Sequence, residues 1–163
     1  MNVRRCQTQD VAAVAMLLDE ATVWIGERGY EQWPLPFPPD EIAAAIERGE
    51  VYVAVLDGDV VATVTLLWDD KRHWGERPPD AAYVHKLAVS RACAGRRIGR
   101  ALVEWADETA AANGRSFLRL DCLRTNPAIR RYYEELGFEH RGDQVIKGRD
   151  LSLYERPLHA RGD

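Results

Sequence analysis

The chain has 163 residues, 46% hydrophobic and 29% charged, with a formal net charge of −4 at pH 7. That length holds one domain with a proper core, the acidic balance argues against a general nucleic-acid binder, and no apolar run is long enough to span a bilayer. The N-terminal MNVRRCQTQD lacks an apolar segment, so no signal peptide is expected; Cys6, Cys93 and Cys122 form no CxxC pair and fit free thiols in a reducing cytoplasm.

In chain order, Asn2 to Cys6 reads as a short strand. Thr8 is placed to cap a helix over Asp10 to Arg28, in which Val11, Val14, Ala15, Leu18, Ala21 and Ile25 recur at helical spacing and Gly29 suits the stop. YEQWPLPFPPD, Tyr30 to Asp40, carries four prolines and reads as a stiff aromatic loop. Glu41 to Arg48 is a short helix ended by Gly49. Val51 to Trp68 holds two β-rich runs around Asp57-Gly58, a favoured hairpin turn. Asp69 to Asp80 is polar and reads as a loop, and AAYVHKLAV, Ala81 to Val89, as a strand covered on both faces.

Ile98, Leu102, Trp105 and Ala106 start a helix near Arg97 that ends around Asn113-Gly114. Phe117 to Asp121 is a strand, Pro127 to Leu136 a helix closed by Gly137, and Phe138 to Arg141 and Leu151 to Arg156 are further strands. The order β-α-α-β-β-β-α-β-α-β-β predicts an α/β fold, a mixed sheet covered by helices. One domain over 1–163 is expected, with about 158–163 as a disordered tail.

The segment between the third consecutive strand and its helix carries the first chemical signal. Ala94-Gly95-Arg96-Arg97-Ile98-Gly99-Arg100 puts small residues at 94, 95 and 99 where strand becomes helix. Helix-start N–H groups lack intrahelical acceptors, and the dipole adds positive charge, so small residues there admit an anion. Neither a P-loop nor a dinucleotide fingerprint is present. Solvated arginines at an ordinary helix start are the alternative. The four histidines, His73, His85, His140 and His159, show no metal-ligand spacing, and no metal is expected.

LAVSRACAGRRIGRALV, Leu87 to Val103, resembles the acetyl-coenzyme A motif of the GNAT N-acetyltransferase superfamily: a strand ending Leu-x-Val, a [Gln/Arg]-x-x-Gly-x-[Gly/Ala] turn, then a helix. NPAIRRYYEELGF, Asn126 to Phe138, resembles the family's later motif, an Asn, a Tyr seven residues on, then Gly-Phe. The two stand in the family's order and cover, with the N-terminal pattern, nearly the whole chain. Two positions depart: Ala94 stands for the Gln/Arg and Arg97 for the first Gly. The resemblance implies a GNAT-like, mostly antiparallel central sheet flanked by helices.

It also implies acetyl-CoA as acyl donor. The pantetheine arm would lie along Leu87, Ala88 and Val89 as an added strand. The pyrophosphate would sit on the N–H groups of Gly95, Arg96, Arg97, Ile98, Gly99 and Arg100 beside Ala94, and Asn126 would hold the arm. Tyr133 would protonate the leaving thiolate, while Tyr132 packs. His85 is the candidate base, since an imidazole titrates near neutrality. The same residue also reads as a sheet histidine held by a neighbour, with Tyr83 or a water as base instead. His85 and Leu87 would share a strand face unless a bulge intervenes. Trp24, Tyr30, Trp33 and Tyr83, with Phe37 and Trp74, would line an acceptor site or pack on the sheet.

The implied reaction is N-acetylation of a small-molecule primary amine, in the cytoplasm, with no nucleic-acid or membrane partner. Acetylation of a protein, peptide or aminoacyl-RNA, and non-catalytic acyl-CoA binding in a regulatory domain, remain alternatives. A homodimer is compatible with the sequence, which does not show one.

Overall fold

The structure, a computed structural model, describes residues 1–158. Its elements are β1 Asn2–Arg5, α1 Val11–Gly26, α2 Pro39–Glu47, β2 Val51–Leu56, β3 Asp59–Leu67, α3 Lys71–Trp74, β4 Ala81–Val89, α4 Ile98–Ala112, β5 Phe117–Leu123, α5 Pro127–Glu135, β6 Glu139–Ile146 and β7 Arg149–Pro157. The fold is the expected mixed α/β class, and the strands pair in the order β1-β2-β3-β4-β5-β7-β6. β1–β2, β2–β3, β5–β7 and β6–β7 are antiparallel, whereas β4–β5 is parallel.

Three local readings change. Thr8 does not cap α1: it opens a 3-10 turn, Thr8–Asp10, and the Asp10 carboxylate accepts the Gln7 N–H at 2.8 Å while pairing with Arg4 at 2.7 Å. The loop 69–80 contains α3, whose four residues were too few for a periodic signal. β6 is twice the expected length because Lys147 and Gly148, at φ 50° and 75°, form a tight turn that joins it to β7. Asp57 and Gly58 make the expected hairpin, with φ 52° and 86°, the left-handed pair that matches the strand twist.

The chain divides into two compact units. The first joins Met1–Leu66 to Lys86–Val103. Its core gathers Val14, Leu17 and Leu18 of α1, Phe37, Ile42 of α2, Val51 and Val53 of β2, and Ala88 of β4. The aromatic loop is pinned there, since the Phe37 N–H donates to Asp19 Oδ1 at 2.8 Å and Trp33 packs against the same cluster.

The second unit joins Leu67–His85 to the chain from Glu104 onward. In β5, Leu118, Leu120 and Cys122 alternate with Arg119 and Asp121, so the two charged residues share one face. Buried Arg119 donates to Glu155 Oε2 at 2.7 Å and to the Tyr83 hydroxyl at 2.9 Å, with Trp74, Tyr83 and Phe117 rings around its guanidinium. The Leu158 N–H donates to the Ser116 carbonyl at 3.0 Å, and the remainder of the expected tail, 159–163, lies outside the described residues.

Candidate active site

The first unit carries the turn that leads into α4. Arg91–Cys93 form a 3-10 turn, Gly95 takes φ 80°, and Arg97 takes φ 59° immediately before α4. Arg97 therefore adopts the left-handed backbone that glycine tolerates and that costs an L-residue about 1–2 kcal/mol. Its side chain is exposed, as are those of Arg91, Arg96 and Arg100, and Ile98 and Cys93 are the buried anchors of the turn. One N–H of the expected anion cradle is committed elsewhere: Arg96 donates to the Cys93 carbonyl at 3.3 Å. The earliest α4 hydrogen bond closes from Ala101 to Arg97, so the N–H groups of 98–100 precede any i−4 acceptor within the helix.

Because the turn already holds a left-handed residue, Arg97→Gly should leave stability unchanged or raise it by up to about 1 kcal/mol, the strain relief being offset by glycine's flexibility. Arg97→Val should lose more than that, because a β-branched residue resists this conformation. Urea unfolding of the two variants checks the assignment, and equal effects would count against it.

The second unit gathers a chain of four ionisable groups that sequence spacing did not reveal. The parallel β4–β5 register sets Tyr83 opposite Arg119 and Val84 opposite Leu120, and the next position on each strand brings His85 to Asp121. Asp70 precedes α3 as its N-cap and lies buried between two imidazoles. Its Oδ1 is 2.8 Å from His73 Nδ1, and its Oδ2 is 2.8 Å from His85 Nε2. His85 Nδ1, on the other side of its ring, is 3.6 Å from Asp121 Oδ2. That oxygen is buried and has no hydrogen-bond partner.

The bonding fixes the tautomers. The two imidazole hydrogen bonds outweigh the cost of burial and hold the Asp70 carboxyl far below its ordinary range. An ionised carboxylate only accepts, so His73 donates from Nδ1 and His85 from Nε2. In neutral His85 the lone pair is then on Nδ1, facing Asp121. The hydrogen bond to Asp70 raises the pKa of His73. Donor atoms of Asp70, His73, His85 and Asp121 all lie within 4.8 Å of one another, close enough to hold a cation. His73 and His85, which show no metal-ligand spacing in the sequence, are thus brought together by the fold. Tetrahedral zinc at Zn–N about 2.0–2.1 Å would require neighbouring ligands about 3.3 Å apart, and both Asp70 oxygens already receive protons from the imidazoles.

The turn of the first unit and the acid–histidine array of the second lie on a chain that matches the family model "Acetyltransferase (GNAT) family" over residues 17–138. The chain belongs to the GNAT acetyltransferase family. An uncharacterized N-acetyltransferase of Bacillus subtilis (strain 168), YesJ, is 31% identical over 161 residues, 93% of this chain and 87% of its own. A GNAT-family acetyltransferase structure from Listeria monocytogenes matches with a TM-score of 0.79 at 26% identity, covering 96% of this chain and 94% of that one. The structure of Salmonella typhimurium yncA with its cofactor acetyl-CoA matches in fold, with a TM-score of 0.71 at 21% identity over 100% of this chain and 98% of that one.

In this GNAT chain, Tyr133 is buried on α5, with its ring edge-on to Phe138 and to Tyr132. Burial, reinforced by Tyr132, Cys122 and Asp121, pushes its phenol well above the usual range, so it stays protonated at neutral pH. Asn126 is the N-cap of α5, its Oδ1 accepting the Ile129 N–H at 3.2 Å, a role not foreseen; its Nδ2 carries the remaining donors. Lys86, at φ 49°, interrupts the extended backbone between His85 and Leu87, so strand alternation does not carry from one to the other. The β4–β5 register is recorded from Ala81 to Val84, and β4 continues to Val89.

The aromatic residues are mostly engaged. The Trp24 ring lies under the Arg28 and Arg91 guanidinium groups, at 3.6 and 4.1 Å from its centroid, and the Arg91 N–H bonds Glu20. Tyr83 is buried with its hydroxyl held by Arg119, and buried Trp74 packs edge-on against it, so both rings serve the core of their unit. Tyr30 and Trp33 remain half-buried in the first unit, with Trp33 on the core.

Proposed function

We propose that this GNAT acetyltransferase transfers the acetyl group of acetyl-CoA to a primary amine of a small molecule by direct attack, working as one domain in the cytoplasm. The observation that carries the reading is the His85 imidazole, whose Nε2 lies 2.8 Å from the buried Asp70 carboxylate and whose Nδ1 lies on the other side of the ring. An acceptor with a lysine-like pKa of about 10.4 arrives protonated. His85 Nδ1 removes one proton. The amine nitrogen attacks the thioester carbonyl, forming the C–N bond, and a main-chain N–H near Leu87 stabilises the oxyanion. Collapse breaks the C–S bond, Tyr133 gives its proton to the thiolate and regains one from the amide-forming nitrogen, and His85 releases the first proton to solvent. The products are the amide, free coenzyme and one net proton.

A non-catalytic acyl-CoA-binding domain has no use for an imidazole fixed by a buried carboxylate. The thiol nearest these groups does not suit a covalent acetyl intermediate: burial pushes Cys122 up to about 12 and keeps it protonated. All three cysteines are free and buried, which accords with a reducing compartment. No described helix is long and apolar enough to cross a membrane.

The coenzyme reading is tested directly. Acetyl-CoA at about 100 times its Kd should stabilise the protein by about 2.7 kcal/mol, visible as a raised Tm. Gly99→Glu should abolish most of that shift by setting a carboxylate against the pyrophosphate at the start of α4. An unchanged shift in Gly99→Glu would place the coenzyme elsewhere. Thiol release across a panel of amines then identifies turnover, and coenzyme binding with no turnover of any amine would favour the regulatory reading.

A further inference from the structure

We infer that the gap between His85 Nδ1 and Asp121 Oδ2 is the subsite for a substituted ammonium, which makes Asp121 the residue that selects a cationic acceptor. This deepens the acetyltransferase reading and rests on it for the identity of the reaction, though not for the binding of the cation.

Two acceptors border this gap. The Asp70 carboxylate is bonded at both oxygens, to His73 Nδ1 and His85 Nε2, and this leaves His85 Nδ1 as an acceptor. Asp121 Oδ2 is a buried acceptor with no hydrogen-bond partner. At 3.6 Å the two are too far apart to bond each other. Buried acceptors are normally satisfied, and an anionic one left alone is costly. A group that satisfies both must donate twice and carry positive charge. A primary ammonium does so, with one N–H to Asp121, one to His85 and the carbon chain on the third side.

The neighbouring groups keep this demand unmet within the protein. Arg119, on the same face of β5, gives its charge to Glu155, Tyr83 and Asp80. His73 gives its hydrogen bond to Asp70, and its charge, when it is protonated, acts on Asp121 without bonding it. Tyr133 and Cys122, whose ionisation Asp121 disfavours, are protonated and supply no charge. The same two contacts suit the chemistry. The ammonium proton directed at His85 Nδ1 is the one the base removes, while Asp121 keeps the nitrogen in place as it becomes neutral. Asp121 is therefore a specificity-determining residue, and a neutral or anionic acceptor finds an uncompensated carboxylate.

The test uses full-length protein with labelled histidines, followed by NMR at about pH 7. n-Butylamine, 1,4-diaminobutane and 2-phenylethylamine are the cationic probes, n-butanol the neutral control, and zinc chloride the metal control. His85 should show the Nε2–H tautomer, and at least one amine should shift its Nδ1 resonance saturably while butanol does not. Asp121→Asn, nearly isosteric, should weaken that binding about 10- to 100-fold, the effect of losing a charged hydrogen bond. It should raise KM for cationic amines and leave the acetyl-CoA thermal shift unchanged.

Asp121→Glu, which keeps the charge, should retain part of the affinity and serves as the second variant if Asp121→Asn misfolds. The inference is overturned by a response to none of the three amines, by equal binding in wild type and Asp121→Asn, or by stoichiometric zinc capture that the amines do not displace. Amine binding that depends on Asp121 without acetyl-CoA turnover would sink the acetyltransferase reading alone. Turnover of cationic amines with KM unmoved in Asp121→Asn would sink the subsite alone.

Discussion

His85→Gln is expected to lower kcat/KM for a cationic primary amine by about 100- to 10,000-fold, the usual contribution of a positioned general base. Glutamine keeps an N–H that can reach Asp70 Oδ2, where His85 now donates at 2.8 Å, so the fold around the site should survive. What disappears is the basic lone pair on the opposite side of the ring. The acetyl-CoA thermal shift should match wild type, because the substitution leaves untouched the main-chain N–H groups from Gly95 to Arg100 that are proposed to hold the pyrophosphate. The fall should also shrink as pH rises, since the free amine then no longer needs a base. A variant with wild-type turnover at neutral pH would return His85 to the role of a sheet histidine and leave deprotonation to water.

The second large effect is on stability. Asp70→Asn should cost about 2–4 kcal/mol near neutral pH, because it breaks a buried charge that two imidazoles share. The asparagine side chain presents one acceptor and one donor to two ring N–H groups, so one histidine must change tautomer or lose its bond. The sign with pH follows from the two shifts. The Asp70 carboxyl is depressed from 3.8, so its contribution is present above 3.8 and is lost as pH falls through the lower folded value. His73 is raised from 6.5, so its contribution is complete below 6.5 and is lost as pH rises through the higher folded value.

The stability gap between wild type and Asp70→Asn should therefore be widest from about pH 4 to 6.5 and narrow at both ends. Denaturant unfolding across that range measures it, and a gap that grew steadily toward alkaline pH would contradict the pairing. As Asp70 would position the proposed base, kcat should fall in the variant with little change in coenzyme affinity. A purely structural role would not alter the pH profile of the turnover that remains.

Much of this was written locally. Periodicity gave α1, α4 and α5 within a few residues, Asp57-Gly58 gave the β2–β3 hairpin, and the small residues ahead of Ile98 marked the turn into α4. Each signal acts over a handful of residues, through backbone conformation or one face of a helix. The left-handed requirement at Arg97 could be suspected because a glycine is expected there, yet an arginine satisfies it at a modest cost in strain.

The array around His85 was not legible in the same way. Only His85 stood out, and its neighbours come from two separate elements: Asp70 and His73 from α3 and its N-cap, and Asp121 from β5. The Asp-x-x-His spacing at 70–73 was a usable clue to a capped turn, and Asp121 closing FLRLD was a clue to a charged strand end. The sequence by itself determined the order of elements apart from α3, the position of the turn into α4 and the family. Tertiary structure alone decided which carboxylates face which imidazole nitrogen, because the β4–β5 register and the seat of α3 are non-local pairings that no short window of residues specifies.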